Sequence, residues 1–181
     1  MDFKITDVAF YKHPPNTTIV DDILVAYGAS LAEIRQALRT YDFVRQKTYQ
    51  GFQIELGKQL GNLFADLFEN KGLRVYTQPR EARYSPTIDL RADLVVKGPA
   101  HARGIYIEIE FRPNEYKDIV KFEIGHRRRL MELGILVVAQ HREHINPDYT
   151  TMPEFVRCAK LVAELEPRCP VLLIGIDGEA S

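Results

Sequence analysis

Residues 88–111 read IDLRADLVVKGPAHARGIYIEIEF, and the alternation inside this stretch decides the fold. Side chains on a strand point alternately to its two sides. A strand over 88–98 therefore puts Ile88, Leu90, Ala92, Leu94 and Val96 on one face, and Asp89, Arg91 and Asp93 on the other. After the turn-rich PAHAR, a second strand over 104–111 sets Ile105, Ile107, Ile109 and Phe111 against Tyr106, Glu108, Glu110 and then Arg112. Polar residues on one face of an antiparallel strand ordinarily just meet water. If the two acidic faces coincide, however, Asp93 and Glu108 converge at the strand ends with Glu110 beside them. Three carboxylates so close repel one another unless a cation neutralises them or one keeps its proton. A hard divalent cation with oxygen ligands is the natural partner. Mg²⁺ typically takes one or two protein carboxylates and keeps water and substrate phosphate oxygens, so it can activate a water and stabilise charge on phosphorus.

The segments around this pair alternate helix and strand. Residues 3–11 (FKITDVAFY) and 19–27 (IVDDILVAY) are apolar runs parted by HPPNTT, and their pattern alone leaves their type open. Ser30 followed by Glu33 is a capping box, which predicts a helix over 31–40. A longer helix over 44–70 follows from Phe52, Leu56, Leu60, Leu63, Phe64, Leu67 and Phe68 at three- and four-residue steps, stopped at Lys71-Gly72. Gly57 and Gly61, four apart, mark close packing of this helix on a sheet. LRVYTQ (73–78) reads as a strand. Beyond the acidic strands come a helix over 115–133 stopped at Gly134, the apolar strand ILVVA (135–139) and a polar loop to 152. A helix over 153–165 and the strand VLLIGI (171–176) complete the order. The three strands of 73–111 are joined without helices and the last two through them. The expectation is an α/β fold with a central mixed β-sheet flanked by helices. No repeat, low-complexity tract or linker interrupts the order, so residues 1–181 read as a single domain.

Composition excludes several classes. With 181 residues and 45% hydrophobic content there is ample material for one core, and no apolar run approaches the roughly 18 residues of a membrane span. The N-terminus lacks the layout of a signal peptide, so a cytoplasmic protein without membrane contact is expected. Cys158 and Cys169 lack CxxC spacing and read as reduced and structural. There is no phosphate-binding loop, nucleophile elbow, zincin motif or dinucleotide fingerprint, which leaves no nucleotide cofactor. His141 and His144 lack the further ligands a metal pair would need. Net charge is −1 and does not announce nucleic acid. The distribution does: Lys71, Arg74, Arg80, Arg83 and Arg91 outweigh Glu81 and Asp89 in 71–91 (5 − 2 = +3). Arg112, Lys117, Lys121 and Arg127 to Arg129 outweigh Glu115, Asp118 and Glu123 in 112–129 (6 − 3 = +3). The run HRRR at 126–129 has a plain reading as a solvated helix face partly offset by Glu123. A basic rim on both sides of an acidic centre is nonetheless what a phosphodiester needs.

The spacing Asp93-x14-Glu108-x-Glu110 after a long helix is the layout of the PD-(D/E)XK nucleases. The run Asp93-Leu-Val-Val-Lys97, then Tyr106-Ile-Glu108-Ile-Glu110-Phe111, then a helix, ILVVAQ, a polar loop, a helix and VLLIGI resembles the type II restriction endonucleases of the BamHI/BglII kind over residues 44–176. The resemblance implies a restriction-endonuclease-like core and a homodimer that cuts palindromic double-stranded DNA with Mg²⁺, for which Mn²⁺ can substitute. It also implies Asp93 and Glu108 as metal ligands, Glu110 as ligand or general base, and Glu55 on the long helix as a further catalytic acid. The superfamily's usual third residue is Lys; Glu110 stands there, as in the BamHI branch. Lys97, on the parity of Asp93, Lys117 and Lys121, on the next helix, and Arg112 are then candidate sources of positive charge at the scissile phosphate. Base readout is expected from Arg112-Pro113-Asn114 and from the loop 141–151, with Arg142, Asn146, Asp148 and Thr150 as contacts. The expected function is a Mg²⁺-dependent type II restriction endonuclease acting at a short palindromic site. A non-specific or repair and defence nuclease and a catalytically silent DNA-binding module on the same fold are the alternatives.

Overall fold

The structure, a computed structural model, describes residues 2–44, 51–77, 83–84, 90–146, 148 and 150–180. Its strands are β1 (Asp2–His13), β2 (Phe43–Val44), β3 (Arg74–Thr77), β4 (Leu94–Lys97), β5 (Gly104–Ile109), β6 (Met131–Ala139) and β7 (Val171–Ala180). Its helices are α1 (Ile19–Ala26), α2 (Leu31–Thr40), α3 (Phe52–Glu69), α4 (Glu115–Arg127), α5 (Arg142–Ile145) and α6 (Phe155–Leu165). The strands form one seven-stranded sheet in the order β2-β1-β7-β6-β5-β4-β3. Only β5-β6 and β6-β7 run parallel, and these are the pairs joined through α4 and through α5 and α6, as parallel neighbours require a crossover. The mixed sheet flanked by helices is the architecture expected from sequence. Among the described residues no helix is long and apolar enough to cross a membrane.

The sheet separates two apolar layers. Leu94, Val96, Ile105 and Ile107 face Leu56, Leu60 and Phe64 of α3, with Val20 and Leu24 of α1 and Ile34 and Leu38 of α2 in the same layer. Val95, Tyr106, Leu136 and Leu173 face Ile119 and Phe122 of α4 and Cys158 and Val162 of α6. Both cysteines are free and buried. Ser30 caps α2, its hydroxyl oxygen accepting the Glu33 N–H at 3.2 Å. Gly57 and Gly61 face the sheet, but a β-carbon there would lie 3.9 Å from Ile109 or 4.0 Å from Ile109 and Leu94, ordinary contact distances, so the approach of α3 does not depend on their being glycine.

Three readings of the sequence are corrected and one left open is resolved. First, helix α4 ends at Arg127 rather than 133, with Arg129 in a left-handed conformation (φ 58°). Strand β6 starts at Met131 because a register shift at the edge of β5 lets Met131 and Leu133 face opposite layers, a spacing that reads as helical. Gly134 is therefore no helix stop but a strand residue, and a β-carbon on it would lie 2.5 Å from the Phe122 ring. Second, the strand proposed for 88–98 begins only at Leu94; Leu90 and Ala92 pack in the layer opposite to Leu94 and Val96, so the alternation slips at Asp93. Residues 85–89 lie outside the described residues, as do 45–50 of the proposed helix 44–70. Third, the two runs whose type the sequence leaves open are resolved: 3–11 lies in β1 and 19–26 is α1, and a register shift between Ile5 and Asp7 breaks the two-residue period of β1. Fourth, β7 runs on to Ala180 by pairing with β1, and α5 interrupts the polar loop.

Phe122 and Gly134 fix how α4 lies on the sheet. Replacing Gly134 with Ala should force that ring to move and cost about 1–3 kcal/mol as overpacking does, read as a fall of several degrees in Tm.

Candidate active site

The antiparallel pairing of β4 and β5 sets Leu94 opposite Ile107. One residue further along, Asp93 meets Glu108. There the ladder is completed by a side chain: Asp93 Oδ2 accepts the Ile109 N–H at 2.8 Å. The fourteen residues between Asp93 and Glu108 are thus the two paired strands and their connecting turn, so the spacing is a consequence of a hairpin that closes its acids together. A cleft of about 760 Å³ opens at this end of the sheet. Asp93, Glu108 and Glu110 line it from the strands, Arg112, Asn114, Lys117 and Lys121 from the start of α4 and the segment before it, and Gln53 and Lys58 from α3.

Electrostatics in the cleft are dominated by burial. Glu108 is 3% exposed, and burial together with the charges of Asp118 and Asp93 pushes its carboxyl up to about 8 despite the neighbouring Lys121. Burial and Asp118 push Glu110 up to about 7. Asp93 is also raised, by burial first, with the Ile109 N–H opposing. Two groups hold Glu108: the Tyr84 hydroxyl donates to Oε1 at 2.8 Å, and Lys121 Nζ donates to the same oxygen at 2.8 Å. Lys121 also pairs with Asp118 Oδ1 at 2.8 Å. Burial alone would depress the Lys121 ammonium, but Glu108 and Asp118 hold it above its ordinary range.

The structure brings together Asp93, Glu108, Glu110, Arg112, Asn114, Lys117 and Lys121 and leaves other expected residues apart. Glu55 lies outside the cleft lining and pairs with Lys58 at 3.8 Å, because the cleft side of α3 is carried by Gln53, Ile54, Gly57, Lys58 and Gly61. Lys97 sits at the other end of β4, opposite Arg74. In the loop after β6, Asn146 donates to Gln53 Oε1 at 2.7 Å, Arg142 Nη1 donates to the Thr150 carbonyl at 3.3 Å, and Asp148 N–H donates to Asn146 Oδ1 at 3.2 Å. That loop therefore leans on the first turn of α3, beside the cleft. The exposed run Arg127 to Arg129 lies at the far end of α4, with Arg127 paired to Glu123 at 2.7 Å.

Tyr84, Asp118 and Gln53 were missed from sequence. Asp118 and Lys121 carry a faint signal, an acid and a base three apart on a helix, which usually means only a surface pair. Among the described residues no three His, Cys, Asp or Glu side chains are grouped closely enough to hold a metal ion by themselves. The pair Asp93 and Glu108 still fits a hard divalent cation that keeps water and phosphate oxygens as its other ligands, since buried carboxylates that resist ionisation are short of positive charge.

Comparison with known proteins bears on the family and the fold. The family model for restriction endonuclease BglII/BglIII matches residues 21–176. The chain belongs to the BglII/BglIII restriction endonuclease family. It is accordingly an endodeoxyribonuclease whose substrate is double-stranded DNA. A crystal structure of free BglII is similar in fold, with a TM-score of 0.54 and 12% identity over 94% of this chain and 79% of that one. No curated protein sequence matches the chain. In this restriction endonuclease the Tyr84 hydroxyl is buried against a carboxylate. Tyr84→Phe should cost about 0.5–1.5 kcal/mol, the range for a net hydrogen bond, lowering the denaturant midpoint at unchanged slope.

Proposed function

We propose that the protein is a Mg²⁺-dependent type II restriction endonuclease that works as a homodimer on a short palindromic site. The apposition of Asp93 and Glu108 across β4 and β5, in a cleft rimmed by cations, carries this reading. Asp93 and Glu108 would hold the divalent cation, which, when bound, would supply positive charge to the phosphate oxygens and lower the pKa of water. Glu110 stands two residues on and accepts the proton of the attacking water. A phosphorus–oxygen bond forms to that water, the bond to the leaving sugar oxygen breaks, and the leaving oxygen takes a proton from solvent. Arg112 and Lys117, both exposed on the cleft rim, draw in the DNA backbone. Asn114 and the loop bearing Arg142, Asn146, Asp148 and Thr150 present side chains suited to base edges.

The homodimer follows from the count of strands to be cut: one cleft, one phosphodiester, two strands. Two-fold symmetry then gives a palindromic target. Tyr116 (58% exposed) and Val120 (38%) on α4 and Val156 (62%) on α6 supply exposed apolar surface that a second copy would cover.

Digestion of a sequenced plasmid library with Mg²⁺, followed by mapping of the ends, should yield discrete fragments with one shared terminal sequence. Smeared or absent products across several DNAs would sink the reading. Asp93→Asn should abolish cleavage while DNA binding stays within a few-fold of the parent in a gel-shift titration. Sedimentation should give a dimer that Val156→Glu converts to a monomer.

A further inference from the structure

We propose that Lys121 is a catalytic residue, delivered from α4, whose ammonium meets the reacting phosphate in a cleft where the strands contribute acids. The inference rests on the nuclease reading above. It goes further by naming the group that offsets the charge gained on phosphorus.

Three observations carry it. The Lys121 side chain is 7% exposed, lines the cleft, and reaches Glu108 Oε1 and Asp118 Oδ1, each at 2.8 Å. Glu108 Oε1 already accepts the Tyr84 hydroxyl, so the lysine is not needed to satisfy that oxygen. A buried ion pair is weak as a source of stability, because removing an ammonium from water costs about what the pairing returns. Charge supplies the reason. Asp93, Glu108 and Glu110 line the cleft, Asp118 shares the Lys121 ammonium with Glu108, and a divalent cation would offset the charge of only two of these four carboxyl groups. As the new phosphorus–oxygen bond forms and the bond to the sugar oxygen breaks, the non-bridging oxygens gain further negative charge. Preorganised cations aimed at such oxygens are a large part of phosphoryl-transfer catalysis. Arg112, Lys117 and Lys58 are exposed on the rim, whereas Lys121 sits among the acids on a flexible four-carbon stem. Glu108 and Asp118, each 2.8 Å from its ammonium, hold it in place until substrate arrives.

A role in catalysis and a role as a prop for the carboxylates differ in sign. Removing a positive charge beside a cation site relieves repulsion, so a catalytic lysine can be lost without weakening divalent-cation binding. Loss of a prop would weaken it. The experiment uses the full chain carrying Lys121→Met, Lys121→Gln and Lys121→Arg, with folding checked by thermal melts. Mn²⁺ affinity is read by electron paramagnetic resonance, duplex affinity in Ca²⁺ by fluorescence anisotropy, and single-turnover cleavage with Mg²⁺. For Met the expected result is a rate lower by on the order of 10²–10³, with Mn²⁺ bound at least as tightly and duplex affinity within about threefold. Arg should recover part of the rate. Should Met fail to fold, Gln, which is neutral but can still donate to Glu108, should show the same loss. A folded neutral variant cutting within threefold of the parent rate overturns the proposal, and so does a fall in Mn²⁺ affinity that parallels the rate. If the parent protein neither binds Mn²⁺ nor cuts any duplex, the nuclease reading itself has failed and the proposal falls with it.

Discussion

Mutual repulsion among carboxylates held out of water is the constraint on which the rest of this structure depends. Two unit charges 4 Å apart repel by roughly 4 kcal/mol at the effective dielectric of a protein surface region. The charges of Asp118 and Asp93 help raise the carboxyls of Glu108 and Glu110, and that of Asp118 helps raise Asp93. A flexible loop so loaded would open. Here the acids hang on elements that cannot easily separate: the paired strands β4 and β5, and α4 packed through Phe122 onto Gly134 of β6. The Ile109 N–H, the Tyr84 hydroxyl and the Lys121 ammonium are the opposing groups, and each belongs to a different segment of the chain. The cleft is thus a place where the fold stores an unsatisfied demand for positive charge, a demand that a binding site for a cation and a phosphodiester can use.

This arrangement explains why some of the site was legible in sequence and some was not. Asp93, Glu108 and Glu110 could be read because a hairpin converts sequence spacing into contact directly: pairing Leu94 with Ile107 leaves Asp93 and Glu108 as neighbours. Tyr106 and Glu108 share a face by simple alternation, and Tyr106 and Glu108 do both meet Tyr84. Lys121 and Asp118 belong to a helix, and whether a helical side chain reaches a strand depends on the docking of that helix. Gly134 and Phe122 set the docking, and from the sequence Gly134 reads as the end of the very helix it supports. Tyr84 approaches from a segment whose neighbours carry no periodic pattern. At Asp93 itself the alternation that reveals the acid breaks down: Ala92 and Val95 share a layer, since the aspartate leaves the strand to take the Ile109 N–H with its side chain. Departure from local regularity at the candidate site is what a functional site would impose on its surroundings.

The near-zero net charge gains meaning from the same geometry. A uniformly basic protein would draw DNA to its whole surface, and a uniformly acidic one would repel it. Here the acids are concentrated behind the rim formed by Lys58, Arg112 and Lys117, so a phosphate is attracted as far as the edge and repelled beyond it. On the proposed reading, a cation at Asp93 and Glu108 would add to the Lys121 ammonium in offsetting that inner charge. Entry of the backbone into the cleft and occupancy of the carboxylates by positive charge are therefore coupled. Each lowers the free-energy cost of the other, and linkage makes that coupling reciprocal. On this argument DNA should tighten the hold of the cleft on divalent cations by the same factor by which divalent cations tighten its hold on DNA, whatever the recognition sequence proves to be.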